Sequence, residues 1–348
     1  MSIKTCIYLV KKYLKSKPLI YKILLFIKHQ GKHLITIPQI FFFVLKQKKI
    51  NPFLIDKLSY DIPNLYTNEN YTSNDFYYHA YHLKRFSRIS PFHSLNLSIE
   101  HGVYFSNYVW NSDLEHAESK IITIGKNRQA ILNKLTNKKV VNIGPYIYYV
   151  KGFYSEKQLS RLKQQFGRTL LVFPSHSTHW INSAYDIEYF AAEIKKYAAE
   201  YNTVLVCVYW KDILNGHHKY YIKNNFTCVS AGHIYDPFFL PRLKSLISLA
   251  DMTMSNVIGT HLGYCIFLNK PHYLFSQDIK FHNTLPALEA DTHDRLNKIK
   301  MDPAITKMYQ LFSNYSEEIT ESQKAIVRTY WGTDDIKTKD QLKQILKA

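Results

Sequence analysis

Two hydrophobic rhythms run through this chain. From residue 169 onward, short unbroken apolar runs, among them Leu170-Leu171-Val172-Phe173 and Val204-Leu205-Val206, alternate with segments whose apolar residues recur at helical spacing. Runs this short suit strands covered on both faces, the environment of a parallel sheet. The pattern predicts strands at 169–173, 203–208, 227–230, 252–255 and 271–275, with helices at 186–201, 217–224, 240–249 and 259–268 between them. The first of these helices opens on an N-cap, Asp186, and carries Phe190, Ala191, Ile194 and Ala198 on one side. Strand and helix in rotation imply a doubly wound βα unit, whose ligands sit at the C-terminal ends of its strands.

The first half carries the same alternation less cleanly. Strands are expected at 95–99, 120–124 and 140–143, and helices at 75–88 and 127–135. Residues 51–74, rich in Asn, Pro, Asp and Tyr, read as loop. A polar helical stretch at 155–166 falls in an interdomain linker placed at 150–167. The expected organisation is a basic amphipathic segment (1–50), a first Rossmann-like domain (51–155), a second Rossmann-like domain (168–300), and C-terminal helices (301–348) that pack back on the first domain.

Composition narrows this. A chain of 348 residues, 46% hydrophobic and 21% charged, is globular and long enough for two α/β cores. Its four cysteines, Cys6, Cys207, Cys228 and Cys265, form no CxxC pair, so neither a zinc ribbon nor a redox motif is indicated. Cys207 and Cys228 fall in predicted strands and read as small apolar fillers in a reducing compartment.

The net charge of +18 is unevenly placed. Eleven lysines and no Asp or Glu occur in residues 1–50, which leaves 34 basic against 27 acidic residues in the remainder. A local excess points to a local anionic partner. The apolar runs in this segment fall short of the ~20 residues a bilayer span needs, and no signal-peptide pattern is present. On a helix, Ile3, Ile7, Val10 and Leu14 form one stripe with Lys4, Lys11, Lys12 and Lys15 beside it. Such a helix can lie among headgroups, each lysine contributing ~1 kcal/mol on anionic lipid. The plainer alternative is a set of solvated surface helices. No nucleic-acid recognition module is present, so nucleic acid is not an expected partner.

Candidate chemistry lies at the predicted strand ends. Ser255-Asn256-Val257-Ile258-Gly259-Thr260-His261 closes a strand and opens a helix. Free backbone N–H groups there, with the helix dipole, attract an anion such as a nucleotide diphosphate; an ordinary capped turn is the competing reading. No GxGxxG or Walker pattern occurs, so no nicotinamide cofactor or ATP cradle is expected. Ser175, His176 and Ser177 follow the first strand of the second domain and offer donors to phosphate or sugar. His176 and His179 form an i, i+3 pair with no acidic ligand nearby in sequence, so a metal is not expected. Tyr209 and Lys211 follow the next strand, and Gly232-His233 with Asp236-Pro237 sets a turn that can wall a nucleotide pocket. In the first domain, Glu100-His101-Gly102 ends a strand; His101 is the candidate general base toward an acceptor hydroxyl, or a hydrogen-bonding group for the leaving phosphate, with Glu100 beside it.

These segments together, "HG" after a strand, "IITIG", "IGPYI", "FPSHS", "DPFFLPRLKSLISLAD" and "SNVIGTHLGYCIFLNKPHYLF", resemble bacterial GT-B glycosyltransferases of surface polysaccharide synthesis. The layout is also similar to that of CDP-glycerol glycerophosphotransferases and capsule Kdo transferases, over roughly residues 75–340. The resemblance implies an α/β GT-B fold of two facing Rossmann-like domains and transfer of a sugar from a nucleotide-activated donor to a growing polysaccharide, lipopolysaccharide or lipid-linked glycan acceptor. It implies donor contacts from the loops holding Ser175, His176 and Ser177 and holding Ser255, Asn256, Gly259, Thr260 and His261, with His101 near the reacting carbon; the strand-end residues Tyr209, Lys211 and Asp236 are the further donor-binding candidates. It implies no resident metal or cofactor, the nucleotide sugar being a substrate; the basic N-terminal segment adds the expectation of a peripheral location at the inner face of the cytoplasmic membrane. Two other classes stay open: an inactive membrane-docked scaffold of this fold, and a nucleotide-sugar 2-epimerase, which would need free carboxylates in the cleft.

Overall fold

The computed structural model describes residues 37–63, 69–105, 118–284 and 301–347, with single positions at 107, 109, 114 and 296. The amphipathic helix expected through Ile3 and Leu14 lies outside the described residues. Two parallel sheets organise the rest. The first holds β1 (Ser98–Ile99), β2 (Lys120–Thr123) and β3 (Lys139–Asn142) in that order. The second holds β4 (Thr169–Phe173), β6 (Thr203–Cys207), β7 (Thr227–Val229), β8 (Met252–Ser255) and β9 (His272–Leu274) in the order β7-β6-β4-β8-β9. All its pairings are parallel, with Leu171 opposite both Leu205 and Thr253. The chain is thus α/β with two Rossmann-like units. In the second, strand order reverses at β4, which opens a crevice between the ends of β4 and β8.

The helices are α1 (residues 37–47), α2 (His79–Phe86), α3 (Lys126–Leu135), α4 (Glu156–Phe166), α5 (Ile187–Ala198), α6 (Trp210–Leu214), α7 (His218–Lys223), α8 (Phe239–Leu249), α9 (Thr260–Phe267), α10 (Pro303–Phe312), α11 (Glu321–Trp331) and α12 (Lys339–Lys347). Local signals set several boundaries. Asp186 caps α5 by accepting from Tyr189 N–H, and Ser155 and Thr320 close capping boxes on α4 and α11.

Two features depart from the pattern. The helix expected at 75–88 begins only at His79, because Tyr77 and Tyr78 are left-handed, with φ of 52° and 54°. The Tyr77 amide is drawn instead to Ile234 O at 2.6 Å, in the other half of the chain. A two-stranded antiparallel ladder joins β5 (Ile181–Ala184) to β10 (Lys280–Asn283). Its sequences, Ile-Asn-Ser-Ala and Lys-Phe-His-Asn, contain no apolar run for a periodicity argument to detect.

One hydrophobic core crosses the whole molecule. It joins Leu97, Ile99 and Ile122 of the first unit to Leu171, Leu205 and Val229 of the second, through Leu246 and Ile247 of α8. The 150–167 stretch is therefore no bare linker, since Val150 is in that core and α4 rests on α8. Alternate residues of β4 point the other way, with Leu170 and Val172 meeting Phe190 and Ile194 of α5 in a second cluster.

The C-terminal helices clasp both units. Helix α11 lies against α3 and α9, and α12 against α2, with Lys120 Nζ donating to Ile345 O at 2.6 Å. The Trp331 ring is wholly buried, its Nε1 donating to Thr260 O at 2.9 Å. It lies so close to α9 that a Cβ on Gly263 would stand 2.2 Å from the ring. Gly263→Ala should therefore destabilise the protein by about 2–3 kcal/mol through overpacking, read as a lower midpoint in chemical denaturation.

Candidate active-site cleft

Parallel pairing places the C-terminal loops of each sheet along one edge. The two edges meet where Val103 N–H, in the loop after β1, donates to Thr260 Oγ1 at 3.1 Å, at the start of α9. Helix α9 begins on Gly259 without a side-chain cap; Leu262 N–H turns back to Gly259 O at 3.1 Å, and the helix start presents its positive dipole end to an anion. A Cβ on Gly259 would lie 2.8 Å from the His261 ring folded over it, so a larger residue there would have to displace that ring. That ring stacks on Phe173 at 4.8 Å, and its buried Nε2 has no hydrogen-bond partner among the described residues. Burial, then His272 and His176, hold the His261 pKa well below the ordinary histidine value. His176 is exposed beside Tyr209, with ring centroids 4.9 Å apart; crowding by surrounding protein lowers its pKa.

The sequence-predicted donor residues separate into two layers. Gly259, Thr260, His261, His176, Tyr209 and Lys211 keep accessible surface. Ser175, Ser177, Ser255, Asn256 and Asp236 are at most 2% exposed and build the floor. Asn256 Oδ1 accepts from Ser175 N–H at 2.6 Å across the β4–β8 crevice, and Ser175 Oγ pairs with Ser183 Oγ at 2.7 Å. Ser177 N–H donates to Asp212 Oδ2 at 2.9 Å, and Ser177 Oγ accepts from Ser183 N–H at 3.0 Å. Ser255 Oγ bonds Val257 O and pairs with His272 Nε2, while Asp236 grips Arg242. These five side chains are turned inward and shape the loops instead of projecting into the cleft. Lys211 is half committed, its Nζ donating to Thr178 O at 2.7 Å and more weakly to His179 O.

Across the cleft, His101 is solvent-accessible but walled by protein. Burial, then the charge of Arg128, lowers its pKa to about 4. Its Nδ1 meets Tyr104 Oη at 3.0 Å, its ring stands edge-on to Phe76 at 5.7 Å, and its carbonyl receives His79 Nε2 at 3.2 Å. Glu100 faces the other way. Its Oε1 accepts from Arg128 Nε at 2.8 Å, with Nη2 in ion-pair contact at 2.7 Å, and its Oε2 accepts from Thr123 Oγ1 at 2.6 Å. The Glu100 carboxylate is thus a buried strut under the His101 loop, with Arg128 also lying over the Tyr104 ring at 4.3 Å.

Sequence reasoning gave one cleft residue, Asp61, no role. Asp61 Oδ1 stands 3.2 Å from His179 Nε2 and 3.1 Å from His233 Nε2, and the two ring nitrogens are 3.0 Å apart. Among the described residues this is the one cluster of three or more such side chains close enough to share a ligand. His179 thus parts from His176 and joins Asp61, which sequence spacing could not reveal because Asp61 lies 118 positions away.

No family model and no curated protein matches the chain. Among solved structures it is similar to the wall teichoic acid polymerase TagF, with a TM-score of 0.41 and 9% identity over 72% of this chain and 67% of that one. It is also similar to UDP-GlcNAc 2-epimerase from Neisseria meningitidis bound to UDP-GlcNAc, with a TM-score of 0.35 and 10% identity over 77% and 71% of the two chains. At these values the fold assignment rests on the two parallel sheets of the chain itself.

The buried histidines make a pH prediction. His79 and His272 are pushed down to about 3, and His82 and His233 to about 4, burial being the largest cause in each. Below about pH 6.5 the unfolded chain binds protons that the folded chain refuses until about pH 4–3. Stability should therefore fall as pH drops through that window, by ~1.4 kcal/mol per pH unit for each such histidine before opposing carboxylate effects. Denaturant midpoints at about pH 7 and about pH 5 measure it.

Proposed function

We propose that this chain is a GT-B glycosyltransferase that moves a sugar from a nucleotide-activated donor to a growing bacterial surface polysaccharide or lipopolysaccharide acceptor. One observation carries the reading. The uncapped start of α9, with Thr260, His261 and His176 around it, faces His101 across a cleft formed by the C-terminal edges of two parallel sheets. A diphosphate at α9 would accept from backbone N–H groups and from imidazole N–H donors. Those contacts strengthen as negative charge gathers on the departing phosphate, which is where preorganised donors act on rate. His101 is held neutral, with a nitrogen available to a substrate hydroxyl or phosphate oxygen, and Glu100 keeps its loop in place. With the Glu100 carboxylate engaged by Arg128 and Thr123, the epimerase alternative has no free acid–base group at that position.

A thermal-shift panel of CMP, CDP, UDP, GDP and their sugar conjugates tests this first, since a ligand of the native state raises Tm. His261→Ala should weaken binding of the preferred nucleotide by roughly 10- to 100-fold, the loss of a hydrogen bond to a charged group. His101→Ala should lower kcat by at least ~100-fold with nucleotide binding kept. A panel with no stabilising nucleotide sugar would contradict the assignment.

The same reading places the chain at the inner face of the cytoplasmic membrane, on anionic lipid. Among the described residues no helix is long and apolar enough to cross a membrane. Support comes from the lysine-rich residues 1–50 and from Phe41, Phe42 and Phe92, which are 58%, 68% and 70% exposed. Phe41 and Phe92 line one apolar groove of ≈ 260 Å³ beside α1. Replacing all three with serine should shift the protein from the pellet to the supernatant when it is spun with anionic vesicles; unchanged sedimentation would count against this face.

A further inference from the structure

Two surface groups lie against the His179 ring and take no part in the transfer centre. One is the Asp61 carboxylate, 66% exposed. Its Oδ1 is fixed from below. Tyr235 N–H donates to His233 Nδ1 at 3.0 Å, so the neutral, wholly buried His233 ring carries its proton on Nε2 and gives it to Asp61 Oδ1 at 3.1 Å. His179 Nε2 stands 3.2 Å from the same oxygen, which His233 engages whichever His179 nitrogen is protonated. Asp61 Oδ2 has no hydrogen-bond partner among the described residues. Three ligating atoms this close would also suit a divalent cation, but His233 turns a proton and not a lone pair toward the others.

The other group is Trp180, 64% exposed and held in a braced turn. Its carbonyl accepts from Thr284 N–H at 2.7 Å, Thr178 N–H donates to Ile181 O at 2.7 Å, and Lys211 Nζ donates to Thr178 O at 2.7 Å. The β5–β10 ladder continues from that turn. Nor does the indole stand alone. A row of partly exposed rings leads inward from it through His179, Tyr235 and Phe76 to His101, with centroid steps of 6.3, 6.1, 5.8 and 5.7 Å. A contiguous apolar surface kept in water by a rigid support marks a binding face.

The geometry points to Asp61 and Trp180 as a saccharide-binding subsite, which holds one sugar unit of the acceptor glycan away from the unit being extended at His101. An indole face beside an open carboxylate oxygen is amphipathic in the way a pyranose is. The apolar, slightly positive C–H face of the sugar meets the electron-rich ring face. Hydroxyls at the sugar's rim donate to Asp61 Oδ2, a charge-assisted bond. The same carboxylate repels the phosphates of a nucleotide, which keeps the donor at α9. The row of rings gives the intervening sugar units a surface to follow, so the acceptor is a glycan of several units and not a single sugar. Saccharide binding at this place stands by itself; its role as an acceptor subsite rests on the transferase reading.

Calorimetric titration of the full chain with cellohexaose, chitohexaose and maltohexaose, and with glucose and N-acetylglucosamine, reads the subsite directly. At least one hexasaccharide should bind, and more tightly than its monosaccharide. Trp180→Ala should weaken that hexasaccharide ~10-fold, while Trp180→Phe, which keeps a ring, stays within ~3-fold of wild type. Asp61→Asn, whose carbonyl still accepts from His233, should weaken it ~10-fold. With the nucleotide sugar of largest thermal shift as donor and the same hexasaccharide as acceptor, Trp180→Ala should raise the acceptor KM ~10-fold, with kcat and the donor-induced shift kept. No hexasaccharide binding, or equal affinity in wild type, Trp180→Ala and Asp61→Asn, overturns the subsite and leaves the transferase reading to its nucleotide test. Uptake of choline or Zn²⁺ that Asp61→Asn abolishes, with no saccharide bound, overturns it in favour of a cationic ligand. A chain that binds the hexasaccharide through Trp180 and binds no nucleotide sugar keeps the subsite and removes the transferase reading.

Discussion

The guanidinium of Arg242 is wholly buried, and much of the cleft depends on what it holds. It donates to Gln47 O and Ile50 O at the end of α1, to Ala231 O after β7, and to Asp236 Oδ2 at 2.7 Å. Phe153 and Phe238 flank its plane. Burying such an ion pair gains little net stability, because desolvation offsets most of the attraction, but it leaves few alternative arrangements. Asp236, so anchored, accepts from Phe238 N–H, and its own amide donates to His233 O. The turn that carries His233 and Tyr235 is thereby fixed, and with it the partner of Asp61. A wholly buried basic side chain thus sets where an imidazole points.

A second consequence follows from sharing one core between the two sheets. Lobes joined only by a linker can open widely; these are joined through α8, α9 and α11, with Trp331 seated against Gly263. Motion between them has to be small or has to break well-packed contacts. The cleft is accordingly preformed: the Thr260 hydroxyl already bonds the loop that carries His101. Its imidazoles are kept neutral by surrounding protein, so the positive dipole end of α9 and the partly committed Lys211 provide the electropositive character that an anion would meet.

Much of this was legible in the chain itself. The apolar runs of β4 and β6 marked buried parallel strands, because a strand covered on both faces has no polar side to show. Asp186 marked a helix start through a local hydrogen bond, and strand ends located the chemistry-bearing loops. These signals are short-range, so sequence carries them directly. The tertiary structure alone decided which loop side chains reach the cleft. Ser175 and Asn256 have the composition of ligand donors, yet each is satisfied by partners brought together by strand pairing. It alone brought Asp61 to His233 across 172 positions, and turned Tyr77 left-handed toward Ile234. Such contacts depend on how sheets and turns are placed in space, and no local period encodes that placement.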